Sequence, residues 1–187
     1  MSHQTSEKEQ LLIAGCKHSE MWARKKLYER YAPAMMGVCI RYTGDREAAR
    51  DVLQEGFIKV FIKIDTYSEI GSFEGWMRRI FVTTALEYLR KDLSNRFFDE
   101  YDEKVKDSGT SALEKLSADE LLACIAELPN GFRTIFNMYA IEGYSHSEIA
   151  KILKIKESTS RSQFARARQL LQKNIQSIRM YDTRKNK

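Results

Sequence analysis

The sequence predicts an all-α protein of two small helical domains, and three observations carry that reading. Proline and glycine are sparse, two and nine in 187 residues. Apolar residues recur at helical rather than alternating spacing. Between Asp92 and Leu116 that periodicity lapses into a stretch rich in acids and small polar residues, which divides the chain into units of a size that helical bundles can sustain.

The elements follow in order. From Met21 to Arg41, Trp22, Leu27, Tyr31, Met35, Val38 and Cys39 form one broad apolar stripe, and Pro33 is expected to kink or divide the helix. Gly44 and Asp45 mark a turn and an N-cap for a second helix reaching about Ile64, with Ala48, Val52, Phe57, Val60, Phe61 and Ile64 on its inner face. A loop spans Asp65 to Ser72. A third helix runs from about Glu74 to Lys91, with Phe73, Trp76, Ile80, Ala85, Leu86 and Leu89 toward its partners and Arg78, Arg79, Arg90 and Lys91 in water. These elements make a first domain, 1–92. In the linker, 93–116, Asp99, Glu100, Asp102, Glu103 and Asp107 precede Ser108-Gly109-Thr110-Ser111, the composition of an acidic, flexible tether. The second domain, 117–180, opens with a capping box of Ser117 and Glu120 ahead of Leu121, Leu122, Cys124, Ile125 and Leu128. Pro129 ends that helix or begins the next, which carries Phe132, Ile135, Phe136 and Tyr139. A basic tail, 181–187, follows.

Composition excludes several classes. The chain is 43% hydrophobic and holds nine Phe and nine Tyr, too many for a wholly disordered polymer. No run approaches the roughly 18 apolar residues of a transmembrane helix, and Met1–Gln10 lacks the apolar core of a secretory signal. Cys16, Cys39 and Cys124 are odd in number and widely spaced, which points to reduced thiols in a cytoplasmic protein. With three histidines, no cofactor or metal site is expected. The net charge of +5 is concentrated: from Ser145 to Met180 there are eight bases, Lys151 to Arg179, against Glu148 and Glu157. Such a face suits a polyanion or is a solvated helix surface.

The stretch from Ser145 to Arg168 sharpens that choice. Ser145 and Glu148 form a capping box for a short helix whose core face is Ile149, Ile152 and Leu153, with Ala150 small where a second helix crosses. A turn at Lys154–Glu157 leads to a second, arginine-laden helix capped by Glu157 or Ser158. Short helix, tight turn and basic helix make a helix-turn-helix, in which the second helix presents its N-terminal residues to base edges. Ser158, Thr159, Arg161, Ser162 and Gln163 are the candidates for base contact, Arg161 as a bidentate partner of guanine. Arg166 and Arg168 lie later, where the helix leaves the groove, and are expected to contact phosphate, a plain surface charge being the alternative. His146 is expected to be exposed or beside a phosphate rather than a metal ligand.

The first domain narrows the function. Asp51-Val-Leu-Gln-Glu-Gly-Phe-Ile-Lys-Val-Phe61 resembles the D-x-x-Q-E-x-F-x-K-x-F signature of region 2 in bacterial sigma factors. Phe73-Glu-Gly-Trp-Met-Arg-Arg-Ile80 and Tyr88-Leu-Arg-Lys91 are similar to the segments that follow it. Leu128-Pro129, Arg133, Phe136 and Gly143–Ala150 resemble region 4 of the extracytoplasmic-function (ECF) group, and Ser-Thr-Ser-Arg-Ser-Gln, 158–163, is similar to Bacteroidetes-type members. The resemblance runs from about Leu27 to Lys173. It implies partners, namely bacterial core RNA polymerase, promoter DNA and an anti-sigma factor where one exists, with no membrane insertion.

It also implies roles. Asp51, Gln54, Glu55, Ile58, Lys59 and Ile62 would bind core polymerase, although Asp51 and Glu55 also read as solvated charges and Phe57 and Phe61 as core. Tyr67, Ser68 and Ile70 would line a pocket for a base of the −10 element, Arg78 and Arg79 would hold phosphates, and Trp76 is either core or a stacking platform. Thr83 stands where an asparagine is common, Lys154 where the turn has glycine, Ser160 where valine is common, and Gln163 where arginine is. Lys154 with φ above zero would cost on the order of 1 kcal/mol; Ser160 offers a cap or a phosphate contact.

Rival functions are an enzyme, for which no phosphate loop, metal cluster or nucleophile–base set is present in the sequence, a polymerase-independent helix-turn-helix regulator, and a sigma-like adaptor that binds polymerase without initiating.

Overall fold

The computed structural model describes residues 7–92 and 118–185, with side chains described over 7–90 and 120–176. The expected linker and the Ser117 half of its capping box lie outside the described residues. All regular structure among the described residues is helical, and the chain divides into two compact units, Met1–Asp92 and Leu93–Lys187.

In the first unit α1 (Glu7–Lys17), α2 (Met21–Thr43), α3 (Arg46–Lys63), a 3₁₀ turn (Ile64–Thr66) and α4 (Phe73–Asp92) follow one another, and α2 packs on the other three helices. The register of α2 buries Ala23, Leu27, Tyr31, Met35, Val38, Cys39 and Tyr42. Trp22 is turned out, 49% exposed, contrary to the expected stripe, because Ala23 takes the inward position. Its methyl lies where a Cβ on Gly15 would meet it at 2.6 Å. Pro33 does not divide α2. It sits on the outer side with Glu29, one turn earlier, so the carbonyl that loses its donor faces water.

Gly44 closes α2 in the left-handed region (φ 72°), and Asp45 caps α3 by accepting from Ala48 N–H. Inside α3, Ala49, Val52, Leu53, Gly56, Phe57 and Val60 are buried, while Ala48 and Phe61 are half-buried. Ser72 Oγ accepts the Gly75 N–H at 3.0 Å to open α4. The inner face of α4 is Phe73, Met77, Phe81, Ala85 and Leu89, so Trp76 and Ile80, expected there, lie at its half-buried margin. Phe81 meets Phe57 edge to face at 5.2 Å. Burial pushes the Cys16 thiol up to about 11 and that of Cys39 to about 12, so neither is a reactive thiolate at neutral pH.

The second unit holds α5 (Ala118–Ala126), α6 (Asn130–Phe136), a π turn (Asn137–Ile141), α7 (His146–Leu153) and α8 (Glu157–Lys185). Pro129 caps α6, and the buried Arg133 donates to the carbonyls of Ala126 (2.6 Å) and Leu128 (3.1 Å), closing the end of α5. Cys124 and Ile125 pack on Leu171 and Ile175, and Leu128 and Phe132 on Ala167. α8 is thus the spine against which the shorter helices lie. It continues as helix to Lys185, through most of the expected tail.

Candidate functional site

α3 presents two faces. Opposite the core, Asp51, Gln54, Glu55, Ile58 and Ile62 recur at helical spacing and are all exposed, Ile58 at 53% and Ile62 at 72%. Ile58 and Ile62, one turn apart, thus put an apolar strip among acids and an amide on one exposed face. Lys59 borders them, half-buried, with its ammonium 2.7 Å from Glu87 and 3.4 Å from Glu55. Burial pulls its pKa down, but the hydrogen bonds and charges of Glu87 and Glu55 outweigh that and hold it above its ordinary value. Asp51, Glu55, Lys59 and Glu87, with Val52, Thr84 and Tyr88, line a groove of about 220 Å³ between α3 and α4. Glu87 and Tyr88 were missed in the sequence because they lie 28 and 29 residues from Lys59.

The loop after the 3₁₀ turn corrects one expectation. Tyr67 is only 3% exposed. Its hydroxyl donates to Gly71 O at 2.9 Å, and its ring packs on Phe73 (5.0 Å) and Trp76 (5.6 Å). Tyr67 is therefore the support of the loop rather than a pocket wall. Ser68 and Ile70 are exposed, Ile70 at 87%, carried on a backbone with Glu69 (φ 62°) and Gly71 (φ 83°) in the left-handed region. Trp76 is half-buried and stacked on Phe73 at 5.4 Å. Trp76, Arg79 and Thr83 fall at i, i+3 and i+7, one face of α4; Arg79 and Thr83 are exposed, the Thr83 hydroxyl donating to Arg79 O at 2.9 Å. Arg78 points to the neighbouring side, 3.8 Å from Glu74.

In the second unit Ser145 and Glu148 complete the reciprocal capping box of α7, and Ile149 and Leu153 are buried. Ile152, expected with them, is 37% exposed. Lys154 takes the left-handed conformation (φ 58°, ψ 42°) and its N–H bonds Ala150 O, so the turn has helix-turn-helix geometry without its glycine. On α8, Ser158, Arg161, Ser162 and Arg168 are exposed, and Thr159 and Arg166 half-exposed. Arg161 pairs with Glu157 at 2.5 Å. Gln163 is 4% exposed and Ser160 0%. Both stand on the stripe that continues through Ala167, Leu171 and Ile175, so Gln163 is removed from the base-contact set and Ser160 is neither a cap nor a phosphate ligand. His146 is also buried, at 8%, contrary to expectation: its Nδ1 lies 2.9 Å from Ser160 Oγ. That pairing spans 14 residues and has no local sequence signal.

Residues 27–94 match the family description Sigma-70 region 2, and residues 118–171 match Sigma-70, region 4. The first match runs from within α2 through α4, and the second from α5 to the middle of α8, taking in the helix-turn-helix. The chain belongs to the sigma-70 family, in its ECF branch. It is 28% identical to the RNA polymerase sigma-H factor of Pseudomonas aeruginosa, over 93% of this chain and 97% of that one. It is 29% identical to the ECF RNA polymerase sigma-E factor of Haemophilus influenzae, over 91% and 96%. Among solved structures, the sigma factor RpoE of Bartonella quintana, crystallised with the anti-sigma factor NepR, shares the fold at a TM-score of 0.51 and 19% identity, covering 81% of this chain and 96% of that one. This sigma factor has, among its described residues, no helix long and apolar enough to cross a membrane.

Proposed function

We propose that this ECF sigma factor docks on core RNA polymerase through the exposed face of α3, engages the −10 element with the loop 67–72 and α4, and reads the −35 element with the first turns of α8. The observation that carries the docking surface is the row Asp51, Gln54, Glu55, Ile58 and Ile62, left uncovered by the rest of its unit. An apolar centre with a polar rim is how partner surfaces are built.

Capturing a base from the duplex costs a few kcal/mol of unstacking. The packed Tyr67–Phe73–Trp76 cluster supports such a step as the platform that carries Ser68, Ile70 and the exposed edge of Trp76, with Arg79 one turn along α4 for a phosphate. On α8, releasing Arg161 from Glu157 costs little, since an exposed pair contributes about 0–1 kcal/mol, and frees a planar fork for a guanine edge. The protein acts without catalysis of its own, in the cytoplasm, and an anti-sigma factor that covers both units would silence it. The Ser-Thr-Ser-Arg-Ser-Gln stretch, 158–163, supports a place among Bacteroidetes-type members.

Run-off transcription with bacterial core polymerase over a randomised promoter library tests the proposal. Protein-dependent transcripts sharing two spaced upstream elements are the expected result. Association with core polymerase but no transcript would favour the adaptor, and the absence of both transcript and association would favour the independent regulator.

A further inference from the structure

Three elements of the second unit meet at His146. It is the first residue of α7, and its ring stacks on Tyr139 of the π turn, centroids 4.2 Å apart and planes 12° apart. Phe164 of α8 lies edge-on at 5.8 Å, and Ser160 Oγ of α8 is 2.9 Å from Nδ1. A hydroxyl with no exposed surface requires a partner, and the imidazole supplies it. Ser160 stands between Thr159 and Arg161, and each helical residue turns about 100° from the last. Whatever holds Ser160 inward therefore holds Ser158, Arg161 and Ser162 outward.

We infer that His146 is a positioning residue for promoter recognition: its hydrogen bond to Ser160, backed by the stack on Tyr139, sets the rotation of the first two turns of α8 and hence which side chains meet base edges. The inference rests on the −35 reading of α8 given above. It goes beyond packing because a hydrogen bond is directional: a helix turned by a fraction of a residue keeps most of its apolar contact but loses this contact. The neutral imidazole is the form that fits. Burial disfavours the cation and Arg161 repels it, while Glu157 offsets part of that. Tyr139 is the titratable group facing it from the π turn, and on α7 itself Glu148 is engaged with Ser145. The folded imidazole therefore titrates below its ordinary value, and the unfolded chain binds more protons as pH falls through about 6.5. The clasp weakens in that direction.

The test uses the full chain with core polymerase on two promoters, one with its −35 element intact and one with it scrambled, and reads the ratio of transcripts. Ser160→Ala and His146→Phe are each expected to lower that ratio about fivefold, and the double variant no further. His146→Asn, whose amide reaches the position of Nδ1 without a titrating group, is expected to restore most of the ratio and to flatten its decline between about pH 7.5 and pH 6. A role in folding alone would lower transcription from both promoters equally and leave the ratio unchanged, which overturns the inference, as do losses that multiply in the double variant. Should His146→Phe fail to fold, Ser160→Ala and His146→Asn decide the matter. A wild-type ratio near one would instead remove the −35 reading itself, whereas a normal wild-type ratio with unaltered variants removes only the role of His146.

Discussion

Replacing Gly56 by alanine probes the packing that presents the α3 face. A Cβ at Gly56 would stand 2.2, 2.5 and 2.9 Å from Cε1, Cδ1 and Cζ of Phe81. Carbon atoms pack best at about 3.5–4.0 Å, so α3 and α4 must part by more than about 1 Å or Phe81 must turn. Phe81 has no exposed surface and is hemmed in by Phe57, so turning requires a second side chain to move. Overpacking of this kind costs typically about 1–3 kcal/mol, and with three atoms of one buried ring all closer than 3 Å the upper end applies. Alanine's advantage over glycine inside a helix returns about 1 kcal/mol. The net loss is about 2 kcal/mol, which for a unit of this size lowers Tm by about 8–16 °C. Both tryptophans, Trp22 and Trp76, lie in the first unit, so tryptophan fluorescence on heating the full chain reports that unit alone. Adding Phe81→Leu should recover part of the loss. An unchanged or raised Tm in Gly56→Ala would refute the reasoning, since Gly56 would then be an ordinary helical glycine and the spacing of α3 and α4 would not depend on it.

Three further outcomes are expected. Ile58→Glu with Ile62→Glu changes exposed positions, so Tm should shift little, within about 0.5 kcal/mol of stability, while affinity for core polymerase measured by fluorescence anisotropy should fall more than about tenfold, as for a central apolar anchor; retained affinity removes the interface, and Gln54→Ala with Glu55→Ala should give a smaller loss. Arg161→Ala should relax one base position of the −35 element by about 1–3 kcal/mol in a promoter-library selection, and an unchanged preference would reassign that residue to the backbone or to solvent. Lys154→Gly should stabilise the second unit by about 1 kcal/mol, since the left-handed conformation costs a lysine about that much, and no gain in the circular dichroism melt would mean the turn relieves the strain elsewhere.

The helices and the helix-turn-helix were legible because they are written in local rules. Asp45 and Ser145 are caps read from residue type, and the stripes of α2 and α3 follow a 3.6 period. What was not legible depended on which way a stripe drifts and on pairings across the chain. Trp22 and Ala23 are both apolar and adjacent, and only the approach of Gly15 decides between them. Met77 and Phe81, not Trp76 and Ile80, take the centre of α4 because α3 offers Gly56 opposite Phe81. The resemblance makes Tyr67 a pocket wall, yet the loop folds back so that Gly71 accepts its hydroxyl. α1 had no counterpart among the expected helices: its polar faces mask the three buried residues Ile13, Gly15 and Cys16.

The misread residues of the second unit share a physical logic. His146, Ser160 and Gln163 are polar side chains taken for surface because polar residues usually are, and all three are buried behind the first two turns of α8. Farther along, the anchors are Ala167, Leu171 and Ile175. Apolar burial is nearly indifferent to small rotations, because area changes little, whereas a hydrogen bond is lost within tens of degrees. On the proposed reading, rotation of α8 matters most at Ser158, Arg161 and Ser162, which would face base edges, and least in the later turns. The buried hydrogen bond of α8 thus lies within the turns proposed to read DNA, and a valine at 160 would hold the helix in place without holding its angle.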